Sequence, residues 1–394
     1  MREPGFAAEA RGFGDDLVAL RRELHACAEV GLELPRTQAV IVRELEVLGL
    51  TVRTGRGLSS VTAVIAGGRP GPTILLRSDM DALPITEATE LPFASPGGAM
   101  HACGHDLHMA GLVGAARLLT AHADELAGTV ILMFQPGEEG YAGGRLMIEE
   151  GVLDAGAERP VAAYALHVDC VTDPGALVTR SGSMMAGVAA LHVTVRGTGG
   201  HAAFPQHAVD PVPVAADLIH AVQIFAARRV PATDPAVLSI TRIASDSAAG
   251  NVLAGSVDLE INIRALSHET MSLVREQLPR VLQGFGAAQS CEVETRFVES
   301  YPVTYNDPGE TAFLLEVLDG LPDDPEVVRL EAPSMASEDF SYVLQEVPGT
   351  LVFYGVGVAG ERSPMHSDRA VFDDSHLARH AAVFAQIAWR RLLR

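Results

Sequence analysis

The sequence predicts an α/β fold: a main domain with a mostly parallel sheet covered by helices, interrupted by a smaller inserted α+β domain. Short, largely apolar runs, TILLR at 73–77 and TVILMF at 129–134, lie between helical patterns, as expected of strands buried on both faces of a parallel sheet. Past residue 184 the strands alternate apolar and polar residues, which indicates a half-buried antiparallel sheet. The first pattern then returns, so the main domain is expected in two segments, 1–184 and 300–394.

The first segment is expected to hold helices over 15–48 and 109–122, where apolar residues recur at helical spacing. Gly31 and Pro35 interrupt the first of these two patterns. The strands expected in this segment are 61–66, 73–77, 129–134 and 162–167. Alternating strands and helices of this kind are typical of a sheet covered on both faces.

The inserted domain, 185–299, is expected to follow the order β-α-β-β-α-β of a ferredoxin-like unit. Its six elements are expected at 190–196, 211–228, 236–242, 257–264, 267–284 and 291–298. The second segment of the main domain should add a helix at 310–318, a strand at 350–354 and a closing helix at 376–393.

Composition excludes several classes of partner. The formal net charge of −21 comes from 29 Lys and Arg against 50 Asp and Glu, and it argues against nucleic acid and anionic membranes. No apolar run reaches the roughly 18–20 residues of a membrane span, and the N-terminus lacks the apolar segment of a secretion signal. Four scattered cysteines show no paired spacing, which favours a reducing compartment. We therefore expect a cytoplasmic protein.

Polar side chains follow the apolar strands at the points where the strands end. The residues at these ends are Asp79, Asp81, Glu138, Glu139 and His167. Cys103 and His105 lie between the first two of these strands, and in an extended segment both side chains would point the same way. Ligands of open α/β sheets bind beyond the carboxyl ends of the strands, so we expect these groups to converge. Imidazole, carboxylate and thiolate together predict a site for zinc or a related ion.

Each of these residues also has an ordinary explanation when it is taken alone. Cys103 could be a small core residue, and His167 could be a hydrogen-bonded core histidine. The adjacent glutamates could form a solvated loop, Asp79 could cap a helix, and His366 could belong to an ordinary loop. Their joint placement after buried strands favours the metal, because buried charge is costly unless it is paired or bound to a cation.

Six motifs, taken together and in order, resemble the M20 metallopeptidase family. They are RSDMDALP at 77–84, HACGHD at 101–106, FQPGEEG at 134–140, GHA at 200–202, SEDFS at 337–341 and MHS at 365–367. The likeness is closest to the amidohydrolase branch, which includes hippurate hydrolases, N-acyl-L-amino acid amidohydrolases and plant auxin-conjugate hydrolases. It extends over about residues 15 to 390.

The resemblance implies a role for each residue that matches a family motif. The implied metal ligands are Cys103, His105, Glu139, His167 and His366. Glu138 matches the general base, and His201, in the inserted domain, matches a histidine that stabilises the oxyanion. Asp79 matches an acidic residue that orients a ligand, while Asn251 and Arg264 are the implied contacts to substrate.

The implied activity is metal-dependent hydrolysis of the amide bond of N-acyl amino acids, with Glu138 taking a proton from an activated water. The resemblance implies two divalent ions per subunit, zinc or manganese, with cobalt or nickel as alternatives. It implies a small-molecule substrate and a homodimer formed through the inserted domain. In one departure, carboxypeptidase-like members have a histidine where this chain has Arg77, and an aspartate bridge where it has Cys103 and His105.

Three other functions stay open on the sequence. The first is a dipeptidase or carboxypeptidase of the same family. The second is a cysteine hydrolase with Cys103 as nucleophile, which leaves Glu139, His167 and His366 without a task. The third is a binding protein without activity, and the presence of a base beside a full set of ligands argues against it. Removal and return of metal separates the metal and thiol mechanisms.

Overall fold

The computed structural model describes residues 3–321, 326–358, 360 and 363–394. The α-helices of these residues, named in chain order, are α1 (Phe6–Arg11), α2 (Gly14–Ala26), α3 (Pro35–Val47), α4 (His105–Ala121), α5 (Gly143–Glu149), α6 (Pro211–Arg228), α7 (His268–Ala288), α8 (Pro308–Asp319), α9 (Ser341–Glu346) and α10 (Leu377–Leu392). Within this described part, none of the helices has the length and apolar character needed to cross a membrane.

The strands of the same residues are β1 (Val52–Thr54), β2 (Val61–Ala66), β3 (Arg69–Asp79), β4 (Ala127–Gln135), β5 (Ala162–Asp169), β6 (Leu177–Thr179), β7 (Gly182–Met185), β8 (Gly187–Arg196), β9 (Gly200–His201), β10 (Ala236–Ser245), β11 (Val252–Leu253), β12 (Ser256–Ala265), β13 (Glu292–Tyr301), β14 (Thr304–Asn306), β15 (Val327–Arg329) and β16 (Gly349–Gly355). The strands that the sequence did not predict are β1, β6, β7, β9, β11, β14 and β15. Each has at most four residues, which is too short for a period to show.

The chain divides into two compact units. The first consists of Met1–Met184, Tyr305–Ala332 and Asp339–Arg394, and the second consists of Met185–Thr304 and Pro333–Glu338. Each unit has its own hydrophobic core, as expected of a separately packed domain.

The first unit is built on an eight-stranded sheet with the order β1-β2-β4-β3-β5-β16-β6-β15. Its four central strands, β4, β3, β5 and β16, are parallel to one another. Antiparallel pairs extend it on both sides, with β2 beside β4 and β6 beside β16. The prediction of an α/β fold with a mostly parallel central sheet is confirmed.

Helix α4 carries His105 at its first position, and nearly all of the helix is buried. It packs on α10 and on the central strand β3. Gly111 is required at the contact between the two helices, since a Cβ there would lie 2.4 Å from His380 Nδ1. The helix begins at His105, earlier than the predicted residue 109, because its first turn is polar and shows no apolar period.

The second unit contains a four-stranded antiparallel sheet with the order β10-β12-β8-β13. The chain passes through it as β8-α6-β10-β12-α7-β13. Strand β12 alternates as predicted: Val257, Leu259, Ile261 and Ile263 are buried. Their side chains belong to one core with those of α6 and α7, so the two helices cover the apolar side of the sheet.

Candidate metal centre

The carboxyl ends of the central strands bring acidic and imidazole side chains to one edge of the first unit's sheet. Asp79 is the last residue of β3 and pairs in register with Gln135, the last residue of β4. His167 lies two residues before the end of β5, and the glutamate pair begins three residues after the end of β4. This edge is where an open α/β sheet binds its ligands.

Cys103 and His105 reach this edge through a turn, and the prediction of an extended segment there was wrong. Gly104 has a left-handed φ of 82°, and His105 is the first residue of α4. A Cβ on residue 104 would also lie 2.3 Å from Val168 Cγ2. Glycine is therefore required both by the backbone angle and by the close approach of β5.

The five sequence-predicted ligands lie together in the first unit. Cys103 Sγ is 3.6 Å from His167 Nε2 and 3.3 Å from His366 Nε2. His366 Nε2 is also 3.3 Å from Glu139 Oε1. The groups whose ligand atoms lie within 4.8 Å of one another include Cys103 with His105 and His167, Cys103 with Glu139 and His366, and His105 with Glu138 and Glu139.

The spacing and the chemistry of these donors fit a divalent cation. Zinc bonds of about 2.0–2.3 Å in a tetrahedral site place neighbouring ligand atoms about 3.5 Å apart, close to the separations seen here. His105 Nε2 is buried and has no hydrogen-bond partner within the described chain. Such an atom costs about 1–3 kcal/mol when nothing binds it, so an ion at this position would relieve that cost. Thiolate, imidazole and carboxylate together suit zinc and its neighbours.

Backbone carbonyls orient two of the imidazoles. His105 Nδ1 donates to Asp81 O at 2.8 Å, and His167 Nδ1 donates to Val168 O at 2.7 Å. Donation from Nδ1 keeps the lone pair of each ring on Nε2. His167 Nε2 lies 3.6 Å from Cys103 Sγ, and His105 belongs to the same group of candidate ligands, so in both rings the nitrogen with the free lone pair is Nε2, the atom available to a metal.

Asp81 holds the turn that separates the two glutamates. Its carboxylate oxygens accept the backbone N–H groups of Glu138 at 2.9 Å and Glu139 at 3.0 Å. Burial raises the pKa of Asp81 to about 6, against the attraction of the His105 imidazole. These two hydrogen bonds were not predictable from the sequence, because the partners of Asp81 are 57 and 58 positions away.

The adjacent glutamates point to different partners. Glu138 is buried, and Asp339 N–H donates to its Oε1 at 3.4 Å. Glu139 lies against His366. Burial opposes the ionisation of Glu139, but the imidazoles of His366 and His105 outweigh it and lower its pKa. The two neighbours therefore have different hydrogen-bonding partners, although one oxygen of each lies within 4.8 Å of the other and of a His105 ring nitrogen.

Arg77 joins three polar side chains beneath the site. Its buried guanidinium donates to Asp79 Oδ2 at 2.7 Å, to Gln135 Oε1 at 3.0 Å and to Asp339 Oδ1 at 3.0 Å. Burial alone would raise the pKa of Asp79, but Arg77 and the neighbouring imidazoles hold it well below its usual range. Arg77 therefore serves as a buried cation between the carboxylates of Asp79 and Asp339.

Sequence reasoning missed three residues of this region: His108, Gln135 and Asp339. His108 Nδ1 is 2.5 Å from Asp79 Oδ1, and Val168 N–H donates to His108 Nε2 at 2.7 Å. Burial lowers the pKa of His108 to about 4, although Asp79 opposes this. The only signal in the sequence was its place three residues after His105, on the same face of a helix.

The remaining predicted residues lie in the second unit. His201 is exposed on β9, which pairs with β11, and Ala203 N–H donates to its Nδ1 at 3.1 Å. Asn251 is exposed beside it, since Asn251 O accepts Ala202 N–H at 3.0 Å. Arg264, near the end of β12, donates to Met335 O at 2.7 Å. The structure therefore places His201 and Asn251 together within this unit, with Arg264 on a different strand.

Comparison with known proteins identifies relatives over nearly the whole chain. The model of peptidase family M20/M25/M40 matches residues 75–390. N-acetyl-L-cysteine deacetylase of Bacillus subtilis is 37% identical over 86% of this chain and 80% of its own. IAA-amino acid hydrolase ILR1-like 5 of Arabidopsis thaliana is 35% identical over 98% and 89%. Thermostable carboxypeptidase 1 of Saccharolobus solfataricus is 33% identical over 96% of both chains.

One solved structure that shares the fold is that of a metal-binding protein. The Bacillus subtilis YXEP protein, a dinuclear metal-binding peptidase from the M20 family, superposes with a TM-score of 0.85 at 30% identity. The superposition covers 97% of this chain and 99% of that one.

Proposed function

Because the chain belongs to peptidase family M20/M25/M40, we propose that it is a metal-dependent amidohydrolase that cleaves N-acyl amino acids to a carboxylic acid and a free amino acid. The observation that carries the proposal is the convergence of one thiol, three imidazoles and a carboxylate at the sheet edge, beside a second carboxylate. Relatives named as an N-acetyl-L-cysteine deacetylase and an IAA-amino acid hydrolase support this class of substrate.

The metal would be held by the group already described: Cys103, His105, Glu139, His167 and His366. Two divalent ions per subunit are supported by the three overlapping donor groups and by the dinuclear relative. Zinc or manganese suits this mixture of donors, with cobalt or nickel as alternatives. When bound, such ions polarise the amide carbonyl and lower the pKa of water toward ~7.

Glu138 is the proposed general base. Its carboxylate takes the proton of the attacking water and delivers it to the nitrogen of the leaving amine. Asp81 fixes the backbone at Glu138, and the Asp339 N–H fixes one carboxylate oxygen, so the carboxylate is held in one orientation. A carboxylate held in this way needs little rearrangement to accept the proton.

The inserted domain, 185–299, is proposed to be a lid and dimerisation domain. Its resemblance to the family assigns His201 to the oxyanion, in its own subunit or across a dimer, and assigns Asn251 and Arg264 to the substrate. Strand β10 is an edge strand with exposed Val237 and Ile243, which supports a homodimer through this edge. Free thiols at all four cysteines agree with the proposed cytoplasmic location.

A carboxypeptidase or dipeptidase activity is the second candidate, since a relative of that name aligns over 96% of the chain. The two activities share the site chemistry and differ in whether the acyl group is itself an amino acid. A panel of substrates therefore decides between them.

The test combines metal analysis with hydrolysis. Purified protein is analysed for bound metal, stripped with a chelator, and returned to Zn²⁺ or Mn²⁺ while hippurate, N-acetyl amino acids, indoleacetyl amino acids and dipeptides are offered as substrates. We expect about two ions per subunit, loss of activity on chelation, recovery with metal, and preference for acyl amino acids. Activity that is indifferent to chelation would favour Cys103 as a nucleophile, and preference for dipeptides would favour the second candidate.

A further inference from the structure

We propose that His108 is a positioning residue for the metal centre: its imidazole fixes the spacing between the elements that carry His105 and His167. The inference rests on the proposed function, because it concerns the same ligand group. The mechanism above gives His108 no task, yet it is fully buried and makes two short hydrogen bonds in the first unit.

The hydrogen bonds of His108 define a single tautomer. A backbone N–H can only donate, so His108 Nε2 must accept from Val168 N–H at 2.7 Å. The ring proton is then on Nδ1, where it is donated to Asp79 Oδ1 at 2.5 Å. The imidazole thus connects the end of β3 to the end of β5 through two hydrogen bonds. Only one tautomer of His108 can make both of them.

The ring of His108 also contacts both imidazoles of the ligand group. It stacks on His105 with 5.3 Å between ring centroids and an interplanar angle of 30°. It meets the edge of His167 at 4.7 Å and 64°. Val168, the residue it holds by the backbone, directly follows His167 and also provides the carbonyl that accepts from His167 Nδ1. A change at residue 108 is therefore transmitted to the positions of both proposed ligands.

Two conservative variants separate the two hydrogen bonds. The side-chain amide of Asn reaches the position of imidazole Nδ1, so His108→Asn can keep donation to Asp79 while it loses the acceptor for Val168. The longer Gln reaches the position of Nε2, so His108→Gln can keep the acceptor and lose the donor. His108→Phe fills the space and removes both bonds.

His380→Phe is the matched control. The ring of His380 is buried, its centroid is 6.3 Å from that of His108, and it bonds to neither Asp79 nor Val168.

The experiment measures the Zn²⁺ dissociation constant of each purified variant by competition with a chromogenic chelator, and bound metal by elemental analysis. The urea midpoint of the metal-free form is followed by the fluorescence of Trp389, the sole tryptophan, which is buried in the first unit. We expect His108→Asn and His108→Gln to weaken Zn²⁺ binding about 10–100-fold, and His108→Phe at least as much. His380→Phe should bind Zn²⁺ like the wild type.

Two outcomes overturn the inference in distinguishable ways. If the wild type binds Zn²⁺ and the His108 variants bind it equally well, or lose it only in step with a lower urea midpoint that His380→Phe reproduces, then His108 is structural and the proposed function stands. If the wild type binds no divalent ion, the proposed function fails and the inference fails with it.

Discussion

Two regions of the molecule carry the candidate functional residues, and they are built in opposite ways. At the strand ends of the first unit, Asp79, Asp81 and His105 are almost fully buried, and each is held by a further polar group. On the β9–β11 pair of the second unit, His201 and Asn251 are exposed, and their described bonds are local ones to neighbouring backbone. Burial and hydrogen bonds therefore hold the side chains of the first region in place. The side chains of the second region would be oriented by whatever substrate or protein surface binds there.

The difference teaches where a substitution will be felt. Removing one member of a buried ion pair leaves its partner desolvated, so it lowers the stability of the fold. Removing an exposed group leaves the fold intact, so only turnover or substrate binding can change. The two regions can therefore be compared with pairs of substitutions that are chemically alike.

The largest expected effect is on turnover at Glu138, in the buried region. Glu138→Gln keeps the size of the side chain and removes its ability to take a proton, so kcat should fall by about 10³-fold or more. Bound metal should remain near the wild-type amount, because Glu139 still provides the carboxylate beside His366. Steady-state kinetics with an acyl amino acid and elemental analysis check the two expectations.

Glu149→Gln is the control for that variant. Glu149 is exposed on α5 and pairs with Arg145 at 2.7 Å, so the same chemical change there should leave kcat as it is. A Glu138→Gln enzyme that retains a tenth or more of the activity would remove Glu138 as the base.

The next effect is on stability, and it compares two arginines. Arg77→Met leaves the buried carboxylates of Asp79 and Asp339 without their shared cation and should lower the free energy of unfolding of the first unit by about 3–5 kcal/mol. Arg264→Met removes a half-buried side chain of the second unit that donates to one backbone carbonyl. This change should leave the free energy of unfolding of the first unit as it is. Urea unfolding followed by Trp389 fluorescence reports on the first unit alone.

Equal midpoints for wild type and Arg77→Met would show that the buried network adds nothing to the stability of this unit. A matching loss in Arg264→Met would contradict the separate packing of the two units.

A smaller effect is expected at the exposed region. His201→Ala should lower kcat by about 100-fold if the imidazole stabilises the oxyanion. Metal content and the Trp389 transition should stay unchanged, because His201 is exposed and hydrogen-bonds only within its own loop in the described chain. The control is His207→Ala, an exposed histidine of the same loop with no implied role. An equal loss in both variants would point to damage to the loop rather than to the reaction.

Much of the fold follows from local pattern. Helix α6 was predicted at its observed bounds, because Asp210 caps its first turn and Pro211 occupies a position that suits proline. Strand β2 was also predicted at its observed bounds, as an apolar run between polar segments. The placement of Glu139 and His167 at one edge of the sheet was predictable too, since β4 and β5 are parallel to β3 and end at that edge.

The support beneath the site was not predictable in the same way. Asp339 meets Arg77 across 262 positions, and Glu138 meets Asp81 across 57, so no period or spacing reports these pairs. His108 looked like one more residue of a buried helix. Tertiary packing determines which polar residues support the site, so these residues are identified only from the structure.

The last expected effect extends the comparison to pH. In the buried region of the first unit, His25 lies between Asp106 at 2.8 Å and Glu87 at 3.0 Å. Burial alone would lower the pKa of His25, but the charge of Asp106 and the two hydrogen bonds outweigh it and raise the pKa to about 9. In the unfolded chain the value returns to about 6.5.

The folded state therefore holds a proton on His25 that the unfolded state loses first. This contribution to stability, on the order of 3 kcal/mol, is complete below pH 6.5 and is lost as the pH rises through 9. The urea midpoint of the Trp389 transition should fall across that window in the wild type and stay flatter in His25→Gln. The exposed pair Arg196–Glu294 in the second unit provides the contrast, since Glu294→Gln should leave the slope as it is. A slope that is the same in wild type and His25→Gln would mean that the proton is not on His25, and that burial rather than charge pairing determines the state of this region.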